Sequence, residues 1–147
     1  MAEHNIIGQK GEQIAVETMR KKGFRVVDTN WKFGHLEMDV IAVNRKEIAF
    51  VEVKTRTSSF GDKRPEEFVD ELKRRRMAAA ANAYIKFHKI ELAPRFDIIG
   101  ITMDPSTYEV KELTHLEDAF LPPQRTIGKS SFSGQGRWKH RGRVIGK

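Results

Sequence analysis

The stretch Glu37-Met38-Asp39-Val40-Ile41-Ala42-Val43-Asn44-Arg45-Lys46-Glu47-Ile48-Ala49-Phe50-Val51-Glu52-Val53-Lys54-Thr55 decides how the chain is read. Two runs rich in apolar and β-branched residues flank the polar segment Asn44 to Glu47, which predicts an antiparallel hairpin. A two-residue turn closed by Asn44 and Glu47, or a four-residue loop closed by Val43 and Ile48, gives the same register. In it Asp39 stands opposite Glu52 and Glu37 opposite Lys54. Opposed side chains share a face with Cβ atoms roughly 4.5–5.5 Å apart, and like charges so placed destabilise a sheet. A divalent cation between the two carboxylates removes that cost, because hard ions take oxygen ligands and favour the ionised acids. Lys54, two residues beyond Glu52, shares its face by strand alternation. The expected cluster therefore offers acids for a metal ion and an ammonium for a nucleophile or a phosphate.

The plainer alternative is a solvated strand face, since 32% of the residues are charged. Against it, Ile48 and Phe50 share the parity of Glu52 and Lys54, while Ile41 and Val43 share that of Asp39, so the acids are expected on a partly apolar face. The pairing depends on loop length, and an odd-length loop separates the two acids.

With 147 residues and 39% hydrophobic content the chain is expected to form one domain with a real core. It has no cysteine, which excludes disulfides and thiolate metal sites. No long apolar stretch or hydrophobic leader is read in it, so a cytoplasmic protein without a membrane partner is expected. The net charge is +7, and all of the excess lies beyond residue 120. The last residues carry Arg125, Lys129, Arg137, Lys139, Arg141, Arg143 and Lys147 and no acid.

From Ile7 to Lys22 the spacing of Ile7, Gly11, Ile14, Ala15, Thr18 and Met19 predicts a helix that stops at Gly23, with Glu12 beside the stripe. A strand is expected over Phe24 to Trp31. After a polar loop, Pro65 marks the start of a second helix reaching about His88, whose apolar face is read as Val69, Leu72, Ala79, Ala80, Ala83 and Phe87. Lys73, Arg74, Arg75 and Arg76 fan round that helix as a solvated surface or as phosphate contacts. Strands are expected over Arg95 to Thr102 and Tyr108 to Thr114, joined by a turn at Asp104 to Thr107, and a short helix over Leu116 to Leu121. His4, His35, His88, His115 and His140 show no metal-ligand spacing and are read as surface or loop residues. Residues 1–121 thus form the expected domain and 122–147 a flexible basic tail. With Phe132 and Trp138 among its cations, the tail can neutralise phosphates and stack on unpaired bases, or simply aid solubility. Arg137, Trp138, Lys139, Arg141 and Arg143 are its candidate contacts.

Several blocks in sequence carry a resemblance: Gly8 to Ala15, Asn30-Trp31, Glu37 to Ala42, Phe50 to Arg56 and Arg95 to Ile99. Together they resemble the YraN family and, in the order α-β-β-β-α-β, the PD-(D/E)XK nuclease superfamily; the family is similar to archaeal Holliday-junction resolvases. The resemblance covers roughly the first 100 residues. It implies an α/β, restriction-endonuclease-like three-layer core with a mixed sheet flanked by helices. It also implies DNA as partner, Mg²⁺ or Mn²⁺ as cofactor, and hydrolysis of phosphodiester bonds in branched or structured DNA. Asp39 and Glu52, with Glu12 approaching from the first helix, would ligate the metal, Lys54 would orient or activate the attacking water, and Thr55 and Arg56 would lie near the phosphate. Dimerisation stays open, although resolving a junction takes two active sites. The competing expectation is a non-catalytic nucleic-acid-binding or adaptor protein on the same fold.

Overall fold

A computed structural model describes residues 2–58, 67 and 69–121. Pro65 and the basic tail, including its five candidate contacts, lie outside the described residues. The hairpin forms in the expected register: strand β2 (Leu36–Val43) runs antiparallel to β3 (Glu47–Arg56), with Val43 opposite Ile48 and Val40 opposite Val51. The turn explains the register. Asn44 N–H donates to Glu47 O at 3.0 Å, and the Asn44 side-chain oxygen accepts from the N–H groups of Lys46 and Glu47 at 2.9 and 2.7 Å. An asparagine that bonds its own turn fixes the loop length, and with it the parity of the paired residues Val40 to Val43 and Ile48 to Val51.

Helix α1 (Ala2–Lys21) precedes strand β1 (Arg25–Phe33). Gly11, Ala15 and Met19, four residues apart, are buried on one stripe as expected. The helix ends where Gly23 takes φ +93°, which lets Phe24 N–H donate to Met19 O at 3.0 Å. Beyond the hairpin come α2 (Glu71–His88), β4 (Ala93–Met103) and β5 (Val110–Phe120). The five strands lie in sequence order in one mixed sheet, and only the β3–β4 pair is parallel. A parallel neighbour requires a crossover, and α2 supplies it.

Strand alternation splits the core into two layers. Ala15 and Met19 of α1 pack with Val40, Ala42, Ala49, Val51, Ile99 and Ile101 on one face. On the other, Met77, Ala81 and Tyr84 of α2 pack with Ile41, Ile48, Phe50, Phe96 and Ile98. Full burial of a side chain such as Phe50 or Ile98 is worth about 1.5–3 kcal/mol, so both faces contribute. The fold is α/β, a five-stranded mixed sheet between two helices. No described helix is long and apolar enough to cross a membrane.

Three expectations are corrected. Helix α2 starts at Glu71, behind an N-cap at Asp70 whose side chain accepts from Lys73 N–H at 2.9 Å. Its buried face is Met77, Ala78, Ala80, Ala81 and Tyr84, whereas Leu72 and Phe87 are 54% and 75% exposed. Residues 116–120 continue β5 instead of forming a helix, because Leu116 pairs with Ile98 and Phe120 with Phe96. There the tertiary partner overrides local helix preference.

Candidate active site

A kink in β2 builds the site. Between the pairs Thr29–Val40 and Trp31–Met38, Asn30 of β1 faces Asp39 of β2, and Asn30 adopts φ +50°. Asparagine tolerates this left-handed conformation better than most residues. Met38 packs with Ile41 and Val43 on the α2 face, although it shares the parity of Val40 and Ala42 on the α1 face. The strand therefore turns about its axis at Asp39. The regular ladder with β3 ends at Val40–Val51, and Val53 N–H donates to Asp39 Oδ2 at 2.8 Å. A side-chain carboxylate thus takes the place of a strand carbonyl where β2 leaves β3. The expected pairing of Glu37 with Lys54 is not formed, since the β2–β3 ladder stops at Val40–Val51; Glu37 is paired on the other side with Lys32 of β1.

The kink brings together the two acids singled out in the sequence. Burial, then the charge of Glu52, with Glu12 adding, push Asp39 up to about 7, although Val53 N–H and Lys73 pull the other way. Burial likewise raises Glu52, whose side chain is 8% exposed, while Lys73, Lys54 and a hydrogen bond with Asp39 moderate the shift. Both of these buried carboxyl groups are thus harder to ionise than an ordinary surface acid.

Glu12 of α1 acts on Asp39 through space. Asn30 Nδ2 donates to Glu12 Oε1 at 2.8 Å, so the residue facing Asp39 also holds the helix carboxylate. Gly11 allows the approach, because a Cβ there would run into the Thr55 hydroxyl of β3. That contact places Thr55 against α1, and Arg56 next to it is half-buried. Lys54 is half-buried and acts on Glu52 through space. Along α1, a groove of about 580 Å³ lined by Gln9, Glu12, Gln13, Glu17, Arg20 and Thr29 meets the site at Glu12.

The basic run of α2 separates into different roles. Lys73 Nζ lies 3.3 Å from Glu52 Oε2. Arg74 Nε donates to Val69 O at 3.0 Å and its guanidinium lies over the Phe120 ring, tying α2 to β5. Arg75 pairs with Glu71 at 3.2 Å, and Arg76 is exposed. Lys73 is thus a site residue that the sequence presents only as one cation among four. Its proximity follows from the true phase of α2, which the uniform run Met77 to Ala81 conceals.

A second polar cluster corrects the reading of His115, whose side chain is 3% exposed. Asp97, fully buried on β4, accepts from His115 Nε2 at 2.7 Å, Arg95 Nη2 at 2.9 Å and Asp118 N–H at 3.0 Å. Lys22 Nζ, a donor only, points at His115 Nδ1 at 2.8 Å. The ring thus bridges the buried Asp97 carboxylate and the Lys22 ammonium.

The donor set suits a hard cation. Asp39 and Glu52 offer carboxylate oxygens, and Mg²⁺ is commonly held by one or two carboxylates with waters completing the shell. Among the described residues no three His, Cys, Asp or Glu side chains form an ion-holding group. The pair is consequently the minimal site, with Glu12 held aside by Asn30.

The raised Asp39 has a consequence for stability. In the folded protein Asp39 ionises near 7, and in the unfolded chain near 3.8. The folded state binds the extra proton between those values, so this group's contribution falls as the pH rises through that window. In EDTA, Asp39→Asn, which keeps an acceptor for Val53 N–H, should melt progressively higher relative to wild type from about pH 5 to about pH 8. Thermal unfolding across that range checks it; a difference independent of pH rejects the raised Asp39.

The family described as "Uncharacterised protein family UPF0102" matches residues 11–101. The chain belongs to UPF0102. A UPF0102 protein of Parabacteroides distasonis is 42% identical over 125 residues, covering 85% of this chain and all of that protein. UPF0102 proteins of Bacteroides thetaiotaomicron and Porphyromonas gingivalis are each 39% identical, over 84% and 82% of this chain and 98% and 87% of theirs. The stretch matched by UPF0102 contains Glu12, Asn30, Asp39, Glu52, Lys54 and Lys73, so every element of the kinked site lies inside it.

Proposed function

We propose that this UPF0102 protein is a metal-dependent endonuclease that hydrolyses phosphodiester bonds in branched or structured DNA, on a restriction-endonuclease-like core of the PD-(D/E)XK type. The observation that carries the reading is the Asp39–Glu52 pair, two buried carboxyl groups brought together by the kink at Asp39 and flanked by Lys54 and Lys73. Such a pair costs stability, and a sheet tolerates it where the charges have a use. The α/β/α layering, the strand order and the resemblance noted above support the superfamily assignment.

Asp39 and Glu52 would hold Mg²⁺ or Mn²⁺. The ion would supply Lewis-acid stabilisation of charge on the phosphate and a water of lowered pKa. The chain's own groups do the rest. Val53 N–H fixes the Asp39 carboxylate, Asn30 restrains Glu12 beside it, and Lys54 is placed to orient the attacking water or to stabilise phosphate charge. A four-way junction has two strands to cut, so a homodimer is the assembly this substrate implies.

One observation favours the second reading, a non-catalytic nucleic-acid-binding protein: Lys73 already neutralises Glu52. Flap, fork, four-way, single-stranded and duplex DNA, incubated with the full chain and Mg²⁺ or Mn²⁺, separate the two. The nuclease cuts at least one branched substrate and its Glu52→Ala variant cuts none. Binding without cleavage that survives Glu52→Ala establishes the second reading.

A further inference from the structure

Resting on the reading of Asp39 and Glu52 as a cation site, we infer that Lys73 is an internal counter-ion: it leaves Glu52 when a divalent cation enters, and its ammonium then contacts the phosphate backbone of bound nucleic acid.

The two partners of this ion pair are unequally free. Glu52 is held in a central strand with its side chain 8% exposed, whereas Lys73 is 40% exposed. The Lys73 backbone is anchored, since its N–H is bound by the Asp70 cap at the start of α2. Only the four-carbon stem has to swing. Lysine suits such an exchange because its head group is a compact charge with rotatable donors, while an arginine would grip the carboxylate with a planar fork.

Lys73 and a dication compete for the same charge. Lys73 Nζ stands 3.3 Å from Glu52 Oε2, and against the burial that raises this carboxyl its charge is the leading opposing influence, ahead of Lys54. A divalent ion between the carboxylates would stand close to that ammonium in a poorly solvated place, where like charges repel strongly. The released ammonium has few alternatives within its own helical turn. Among the described residues of that turn, Glu71 is taken by Arg75 and Asp70 Oδ1 by the Lys73 N–H, while Arg74 donates to Val69 O. A phosphate brought to the site supplies a new anion for the freed ammonium.

Isothermal titration of Mn²⁺ into the full chain without nucleic acid is the first test. Lys73→Met should bind Mn²⁺ about 3- to 10-fold more tightly than wild type, as expected when a pairing cation is removed from a buried carboxylate. Lys73→Arg should bind no more tightly than wild type. Unchanged or weaker Mn²⁺ binding by Lys73→Met overturns the exchange while leaving the cation site standing; a wild type that binds no Mn²⁺ removes both. The second test is the salt dependence of four-way-junction binding. With Ca²⁺ present, Lys73→Met should lower the log–log slope by about 0.9, the value for one phosphate contact. In EDTA the slopes of the two proteins should coincide. A slope difference of equal size in EDTA would show that Lys73 meets phosphate without leaving Glu52 for a metal, and the exchange fails.

Discussion

Glu52→Ala and Lys54→Ala are expected to reduce cleavage of the preferred branched substrate by at least about 100-fold, the scale on which loss of one positioned electrostatic or acid–base group acts. Glu52→Gln tests the charge alone, because it preserves the size of the side chain beside Asp39. Removing either carboxyl leaves a single anion to hold a cation, whereas removing Lys54 spares the pair and takes away the amine. Mn²⁺ binding should accordingly be lost in Glu52→Gln and retained in Lys54→Ala, although both are inactive. The stability of these variants runs the opposite way. Neutralising one of two buried, mutually repelling carboxyl groups relieves the folded state in EDTA, so Glu52→Gln should melt no lower than wild type at about pH 8. Folded variants that cut at the wild-type rate would sink the nuclease reading, and variants that simply unfold would contradict the buried repulsion.

The largest loss of stability is expected at Asp97. Burial opposes its ionisation, yet the hydrogen bonds from His115 and Asp118 N–H and the Arg95 guanidinium hold its carboxyl below the usual range. Arg95 is itself only 11% exposed and also reaches Glu47 at 3.1 Å. Asp97→Ala leaves that guanidinium, the His115 N–H and the Asp118 N–H short of their common acceptor. Breaking a buried pair from one side typically costs about 3–5 kcal/mol, which for a chain of this size lowers Tm by roughly 10 °C. Because the folded pKa is depressed, the contribution is complete above the ordinary aspartate range and is lost as the pH falls through it. Wild type and Asp97→Ala should therefore converge in stability at acid pH. A gap that persists there assigns the loss to packing instead of charge. Asp97→Asn, which retains an acceptor for Asp118 N–H, should fall between the two.

The site was legible where local chemistry fixes geometry. Asn44 sets the length of the hairpin turn, so the register up to Val40–Val51, one step short of Asp39 and Glu52, follows from counting along two strands. Gly23 and the spacing of Gly11, Ala15 and Met19 fix α1 in the same local way. What the sequence concealed depends on tertiary contact or on phase. Pro65 looks like a helix start, but the cap that organises α2 is Asp70. The run Met77 to Ala81 is apolar on every side, so it does not say which side is buried; Tyr84, edge-on to Trp31 with ring centroids 5.1 Å apart, does. A wrong phase there hides Lys73 from Glu52. The kink at Asn30 and Asp39 also escapes a reading based on strict alternation, which carries Glu37 on to Lys54. His115 shows no spacing to a partner because Asp97 and Lys22, which contact it, come from another strand and from the turn after the first helix.

Both outermost strands of the sheet are bent. β1 carries a bulge between Val26 and Asp28 and the left-handed Asn30, and β5 shifts register twice against β4 and takes φ +52° at Asp118. A straight margin with unpaired amides and carbonyls is a template on which further chains can add, and such irregularities deny it. The backbone distortion that presents an amide to Glu12 thus also works against fibre-like growth by edge-to-edge stacking of copies.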